Sequence, residues 1–144
     1  ALARGAARRP GWLPPLEVCA GGRCAVGEGE AVVALRDTAR DELARYIGGM
    51  GARGANFYNE LFAAFGWGDA AREVQDRYLA GHRREAAARL PADLVESMTL
   101  CGPPGYVRER IAAYREAGVT MLDVRPAGPD PVATVAALRD LVDG

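Results

Sequence analysis

"SMTLCGPPGYVRERIAAYREAGVTMLDVRPAGPDPVATVAALRDLV", residues 97–142, reads strand, helix, strand, helix with little in between. A strand from Met98 to Cys101 ends at Gly102. Pro103 and Pro104 then open a helix, at the position where a missing N–H costs nothing. Val107, Ile111 and Tyr114 recur at helical spacing as its inner stripe, and Gly118 closes it. A strand from Val119 to Val124 follows at once and Pro126 ends it. Val132, Val135, Leu138 and Val142 then mark the inner face of a last helix. Two successive βα units with short turns predict parallel strands joined by right-handed crossovers.

Upstream, "LEVCAGGRCAVG" (Leu16 to Gly27) is apolar without clean alternation. That suits a strand of the same sheet buried on both faces and interrupted at Gly21-Gly22. The run from Glu30 to Ile47 places Val32, Leu35, Ala39, Leu43 and Ile47 three or four apart, which predicts one long helix with acidic residues at its start. "NFYNELFAAFGW" aligns Phe57, Leu61, Phe62 and Phe65 on one helical face, with Gly66 as C-cap. The next segment takes Asp69 as N-cap, Val74, Tyr78 and Leu79 as inner face, and Gly81 as stop. A further helical piece breaks at Pro91. The expectation is a single α/β domain over residues 1–144, with three parallel strands and about six helical pieces.

Composition narrows the class. The chain has 144 residues, 49% apolar and 26% charged, with a formal net charge of -1. That balance is globular, and it leaves no electrostatic footprint for nucleic acid or an anionic membrane. No apolar run is long enough to span a bilayer. The basic N-terminus lacks the apolar core of a secretory signal, so a cytoplasmic location is expected. All 18 basic residues are Arg, a uniform bias that assigns the arginines no role as a class. Cys19, Cys24 and Cys101, with the single His82, form no zinc-ligand spacing; the strand cysteines are expected to be small buried hydrophobes. Ala1 is not Met and stands within a helical reading from Ala1 to Arg9, so the chain is expected to be part of a longer polypeptide.

The segment "RYIGGMGARGANFYNELFAAFGW", continued by "AAREVQDRYLAGHRREAAARLPADLVESMTLCGPPGYVRERIAAYREAGVTMLDVRP", resembles the C-terminal part of the bacterial-luciferase-like oxidoreductases. Within that family it is most similar to the group dependent on the 5-deazaflavin coenzyme F-420. The resemblance implies a (β/α)8 barrel, with this chain as its sixth to eighth strands and their helices. A full barrel takes about 250 residues, so roughly half is expected to lie elsewhere. It further implies hydride transfer between the deazaflavin and a small organic substrate, an intact oxidoreductase, and an inactive isolated segment. An FMN-dependent monooxygenase of the same family fits the same residues, and a homodimer is compatible with them. The family's principal cofactor contacts come from earlier strands, so no catalytic residue carries over. The rival of another class is a non-catalytic α/β binding module, which predicts a small closed core and a cooperative melt. A segment cut from a barrel would instead leave unpaired strand edges.

The candidate sites follow. "GGMGARG" (Gly48 to Gly54) follows a helix rather than a strand, so it is not a phosphate loop. Its plain reading is a tight turn with close helix approach. Its functional reading puts Arg53 and Asn56 over the barrel mouth, facing substrate or cofactor. Asp123 and Arg125 share parity on the last strand. Arg125 stands at its C-terminal end, where a guanidinium can bind phosphate or carboxylate; the alternative is that Asp123 and Arg125 satisfy each other or bridge to a neighbouring strand. "CGPPG" is read as a strand-to-helix junction, His82 as a surface residue, and Phe57, Tyr58, Phe62, Phe65 and Trp67 as core.

Overall fold

A computed structural model describes residues 2–144. Of the N-terminal helix expected from Ala1 to Arg9, Ala1 lies outside the described residues and α1 covers Leu2–Ala6. The rest runs β1 (Cys19–Val26), α2 (Gly29–Asp37), α3 (Arg40–Gly49), α4 (Phe57–Phe62), a π-helical turn (Ala63–Trp67) and α5 (Gly68–Leu79). It continues with α6 (Arg83–Ala88), α7 (Ala92–Ser97), β2 (Leu100–Gly102), α8 (Pro104–Glu116), β3 (Met121–Pro126) and α9 (Pro131–Asp143). Among the described residues no helix is long and apolar enough to cross a membrane.

The three strands form one parallel sheet in the order β2-β1-β3. A barrel segment would place consecutive strands side by side; here β3 skips β2 and pairs with β1. Strand length explains the difference. β2 is three residues long and meets only Cys24 to Val26. β1 offers β3 the longer partner, from Cys19 opposite Met121 to Cys24 opposite Pro126. The two crossovers therefore run in opposite directions, and right-handed crossovers so arranged place their helices on opposite faces. α8 and α9 cover one face through Val107, Ile111 and Leu138 against Cys24 and Leu100. α2 covers part of the other through Val32 against Ala25, Cys101 and Ala127.

The largest core is helical and lies between β1 and β2 in sequence. It packs Ile47, Phe62, Val74, Ala86, Leu94 and Val95 from α3 to α7. The glycines after α3 belong to it. A Cβ on Gly49 would come within 2.4 Å of the Tyr78 ring, and one on Gly48 within 2.6 Å of the Tyr78 Cβ. They are small because α5 passes there, which is the plain reading of the turn.

Local differences have local causes. The expected helix through Ile47 is two helices, α2 and α3. Thr38 donates its hydroxyl to the Leu35 carbonyl at 2.5 Å, a side-chain bond that competes with the helical ladder. Gly66 takes the expected positive φ of 93°, a non-helical conformation that ends the Phe57 helix at a kink before α5. Asp69 lies in the first turn of α5 instead of capping it. The aromatic row is not a common core face. Phe62 is buried, whereas Phe57 and Phe65 are 68% and 66% exposed. Leu79, Val132 and Val135, expected to face inward, are exposed as well, and so is Cys19.

Candidate functional site

Strand alternation puts Gly21 and Arg23 of β1 and Asp123 and Arg125 of β3 on the face opposite α8 and α9, side by side in register. α2 covers only the C-terminal part of that face. The remainder is an open cleft between the strands and α3–α4. Its outer hollow, ≈ 390 Å³, is bordered by Cys19, Gly21, Gly22, Glu42, Tyr46, Asp123 and Arg125. An inner hollow of ≈ 240 Å³ adds Arg23, Leu43, Tyr58, Phe62 and Thr99. The glycine pair makes the floor flat. A Cβ on Gly21 would lie 2.0 Å from the Asp123 carbonyl oxygen, so no side chain fits there.

Two guanidiniums reach this cleft in different states. Arg125 donates from Nη1 to Glu42 Oε1 on α3 at 2.9 Å. That bond holds the Glu42 carboxyl below its ordinary range against partial burial, with the charges of Arg125, Arg23 and Arg45 adding to it. Glu42 in turn raises Arg125. Arg23 is half-buried, and its Nε is fully buried without a hydrogen-bond partner. Buried polar groups are ordinarily paired, so Arg23 stands out as an unused cation. Tyr46 and Tyr58 form the aromatic wall, with ring centroids 4.8 Å apart at 58°, and Arg45 lies over the Tyr46 ring at 5.3 Å.

The three residues singled out from sequence do not converge. Arg125 lies in the cleft and bridges to α3, so neither Asp123 nor a neighbouring strand supplies its partner. Arg53 is exposed and pairs with Asp76 of α5 at 2.7 Å. Asn56 is 1% exposed, and its amide is fully used within the chain. Its oxygen accepts from the Tyr58 and Asn59 N–H groups, and its nitrogen donates to the Tyr46 and Ile47 carbonyls. Arg53 and Asn56 therefore brace the α3–α4 turn against its surroundings. Arg23, Glu42 and Tyr46 were not singled out from sequence. An arginine inside an otherwise apolar strand is the signal that marks Arg23; nothing local marks the other two.

The remaining side chains read plainly. Cys24 and Cys101 are buried, and burial, with Cys101 nearby, pushes the Cys24 thiol up to about 11. His82 is exposed, with Nδ1 3.5 Å from Glu85. A second cleft, ≈ 400 Å³, lies where β2 gives way to α8. It holds the Arg36–Glu96 pair at 2.6 Å, and Tyr106 closes its side by donating to the Glu96 carbonyl at 2.7 Å.

Known proteins supply the context for this geometry. A Mycobacterium tuberculosis protein with the provisional name coenzyme F-420-dependent oxidoreductase is 35% identical over 96 residues, covering 67% of this chain and 28% of that protein. The chain thus matches well under half of that relative's length. No solved structure matches it significantly. Residues 1–121, most of the chain and all of the cleft's α3–α4 wall, match the luciferase-like monooxygenase family, and the chain belongs to that family.

Proposed function

We propose that this chain is the C-terminal portion of a cytoplasmic luciferase-like oxidoreductase that works with reduced coenzyme F-420 on a small organic substrate. The relative named for that coenzyme supports the reading. Within the chain, the observation that carries it is the cleft itself, with a flat glycine floor, a tyrosine wall and an unpartnered Arg23 beside Arg125. Such a donor set fits a planar molecule bearing an anionic group, which describes a deazaflavin, FMN or an organic acid alike. Arg125 and Tyr46, which border the outer hollow, would face the cofactor's anionic part, leaving Arg23 in the inner hollow for the substrate. When bound, the deazaflavin supplies a hydride and the protein supplies orientation. Gly21 and Gly22 let a flat ring approach the strand backbone, and Phe62 and Leu43 exclude water from the inner hollow.

The FMN monooxygenase reading keeps the same cleft and is favoured by the family's description. Fluorescence titration of the full-length protein with coenzyme F-420 and with FMN separates the two. Tighter F-420 binding is expected. Preferential FMN binding would replace the deazaflavin reading, and binding of neither would favour a non-catalytic module.

A further inference from the structure

Arg23 has no hydrogen bond and no ion pair from its guanidinium among the described residues, although its Nε is buried. Its neighbour in register is Arg125, so two arginines stand on adjacent strands whose backbones run about 4.8 Å apart. The chain supplies an anion to one of them only. Glu42 binds Arg125 and feels the charge of Arg23 without pairing with it, so no carboxylate forms an ion pair with Arg23. Asp123 borders the outer hollow but not the inner one that Arg23 lines. With Arg125 and Glu42 cancelling, the inner hollow carries a single uncompensated positive charge. Around that charge stand Tyr46, Tyr58, Phe62 and Leu43, over the side-chain-free floor at Gly21 and Gly22.

We propose that the inner hollow binds an aromatic monocarboxylate, with Arg23 holding the carboxylate while Glu42 stays on Arg125 and repels a second negative charge. One net charge favours a monoanion over a phosphate dianion, which Asp123 at the rim also opposes. The flat floor and the tyrosine wall favour a planar ring over an aliphatic chain. The hollow's size suits a single ring. The proposal rests on the oxidoreductase reading for the idea that the cleft receives a small organic substrate, and it names that substrate's class.

Benzoate, phenyl phosphate and benzyl alcohol, titrated calorimetrically into the protein without cofactor, test it. Benzoate is expected to bind, with phenyl phosphate weaker and benzyl alcohol weakest. Arg23→Gln should weaken benzoate about tenfold or more, Arg23→Lys less than that, and Glu42→Gln should tighten it. Equal binding of benzyl alcohol and benzoate, or unchanged affinity in a folded Arg23→Gln or Arg23→Lys variant, would overturn the assignment. Weaker benzoate binding in Glu42→Gln would overturn the opposing role of the Glu42 carboxylate. Preference for phenyl phosphate would overturn the monocarboxylate class. Because no cofactor is present, failure here leaves the F-420 titration standing, and failure of that titration leaves benzoate binding to be read by itself.

Discussion

Gly21 on β1 lies directly against the Asp123 carbonyl on β3, closer than any side chain allows. The two residues are register partners, and a Cβ at Gly21 would meet that oxygen at 2.0 Å. Because the obstacle is backbone, it cannot rotate away. Gly21→Ala must push β3 off β1, and overpacking of this kind costs about 1–3 kcal/mol. Gly11→Ala, where nothing lies within 4 Å, should change little. Urea denaturation of the two variants is the check, and equal midpoints would contradict the close strand approach.

The Arg125–Glu42 bridge predicts a pH-dependent increment. Glu42 is held below its ordinary value of 4.5, first by the hydrogen bond from Arg125 and then by the surrounding guanidinium charges, against the opposing effect of burial. A depressed carboxyl stabilises the fold above its unfolded pKa, and the contribution is lost as pH falls through the folded value. Arg125 is 60% exposed, so the increment is small, about 0–1 kcal/mol. The stability difference between the natural protein and Glu42→Gln should be constant at neutral pH and shrink below about pH 4.5. A difference that grows on acidification would contradict the pair.

The βα units were legible because their signals are local. Pro103-Pro104 and Gly118 act on their own backbone and bound α8 where the structure has it, whereas β3 runs Met121–Pro126, two residues later than the Val119 to Val124 reading, with Pro126 as its last residue. The Asp123 and Arg125 parity was legible for the same reason. Strand order was not, because it depends on how long a ladder β2 can offer β1, and three residues is a tertiary outcome. The cleft was half legible. Arg125 was visible at a strand end, but Arg23 acquires meaning only once Gly21 has drawn β3 alongside it. Glu42 and Tyr46 sit in ordinary helical periodicity, and only the packing of α3 turns them toward the strands. Asn56 misled for a physical reason. A polar residue in a glycine-rich turn reads equally as a ligand contact or as a cap, and here four internal hydrogen bonds decide for the cap.

The three thiols should separate by reactivity. Cys19 is exposed, whereas Cys24 and Cys101 are buried and burial raises both thiols, Cys24 to about 11. Iodoacetamide on the folded protein should label Cys19 alone, read by peptide mass. A linked effect follows on stability. From pH 9 to about 11 the unfolded chain ionises Cys24 while the folded chain keeps it protonated, so stability falls with rising pH across that window. Cys24→Ala should flatten that fall, and early labelling of Cys24 in the natural protein would contradict its burial.

Asn56 gives the clearest test of the α3–α4 turn. Its side-chain oxygen caps α4 through the Tyr58 and Asn59 N–H groups, and its amide nitrogen ties that cap to the end of α3. Removing it with Asn56→Ala abolishes the cap and strands the Tyr46 carbonyl. The Ile47 carbonyl keeps a second donor in Asn59, at 3.1 Å. Loss of a cap and of a buried polar partner together should cost about 1–3 kcal/mol. Asn56→Asp restores the capping oxygen, and its charge suits the helix N-terminus, yet it places a carboxylate against the Tyr46 and Ile47 carbonyls. It should therefore recover less than full stability. Arg53→Ala, which removes only the exposed pair with Asp76, should stay within about 0.5 kcal/mol of the natural protein. Thermal melts of the three variants measure this order, and an Asn56→Ala melt matching that of Arg53→Ala would contradict the capping role of Asn56.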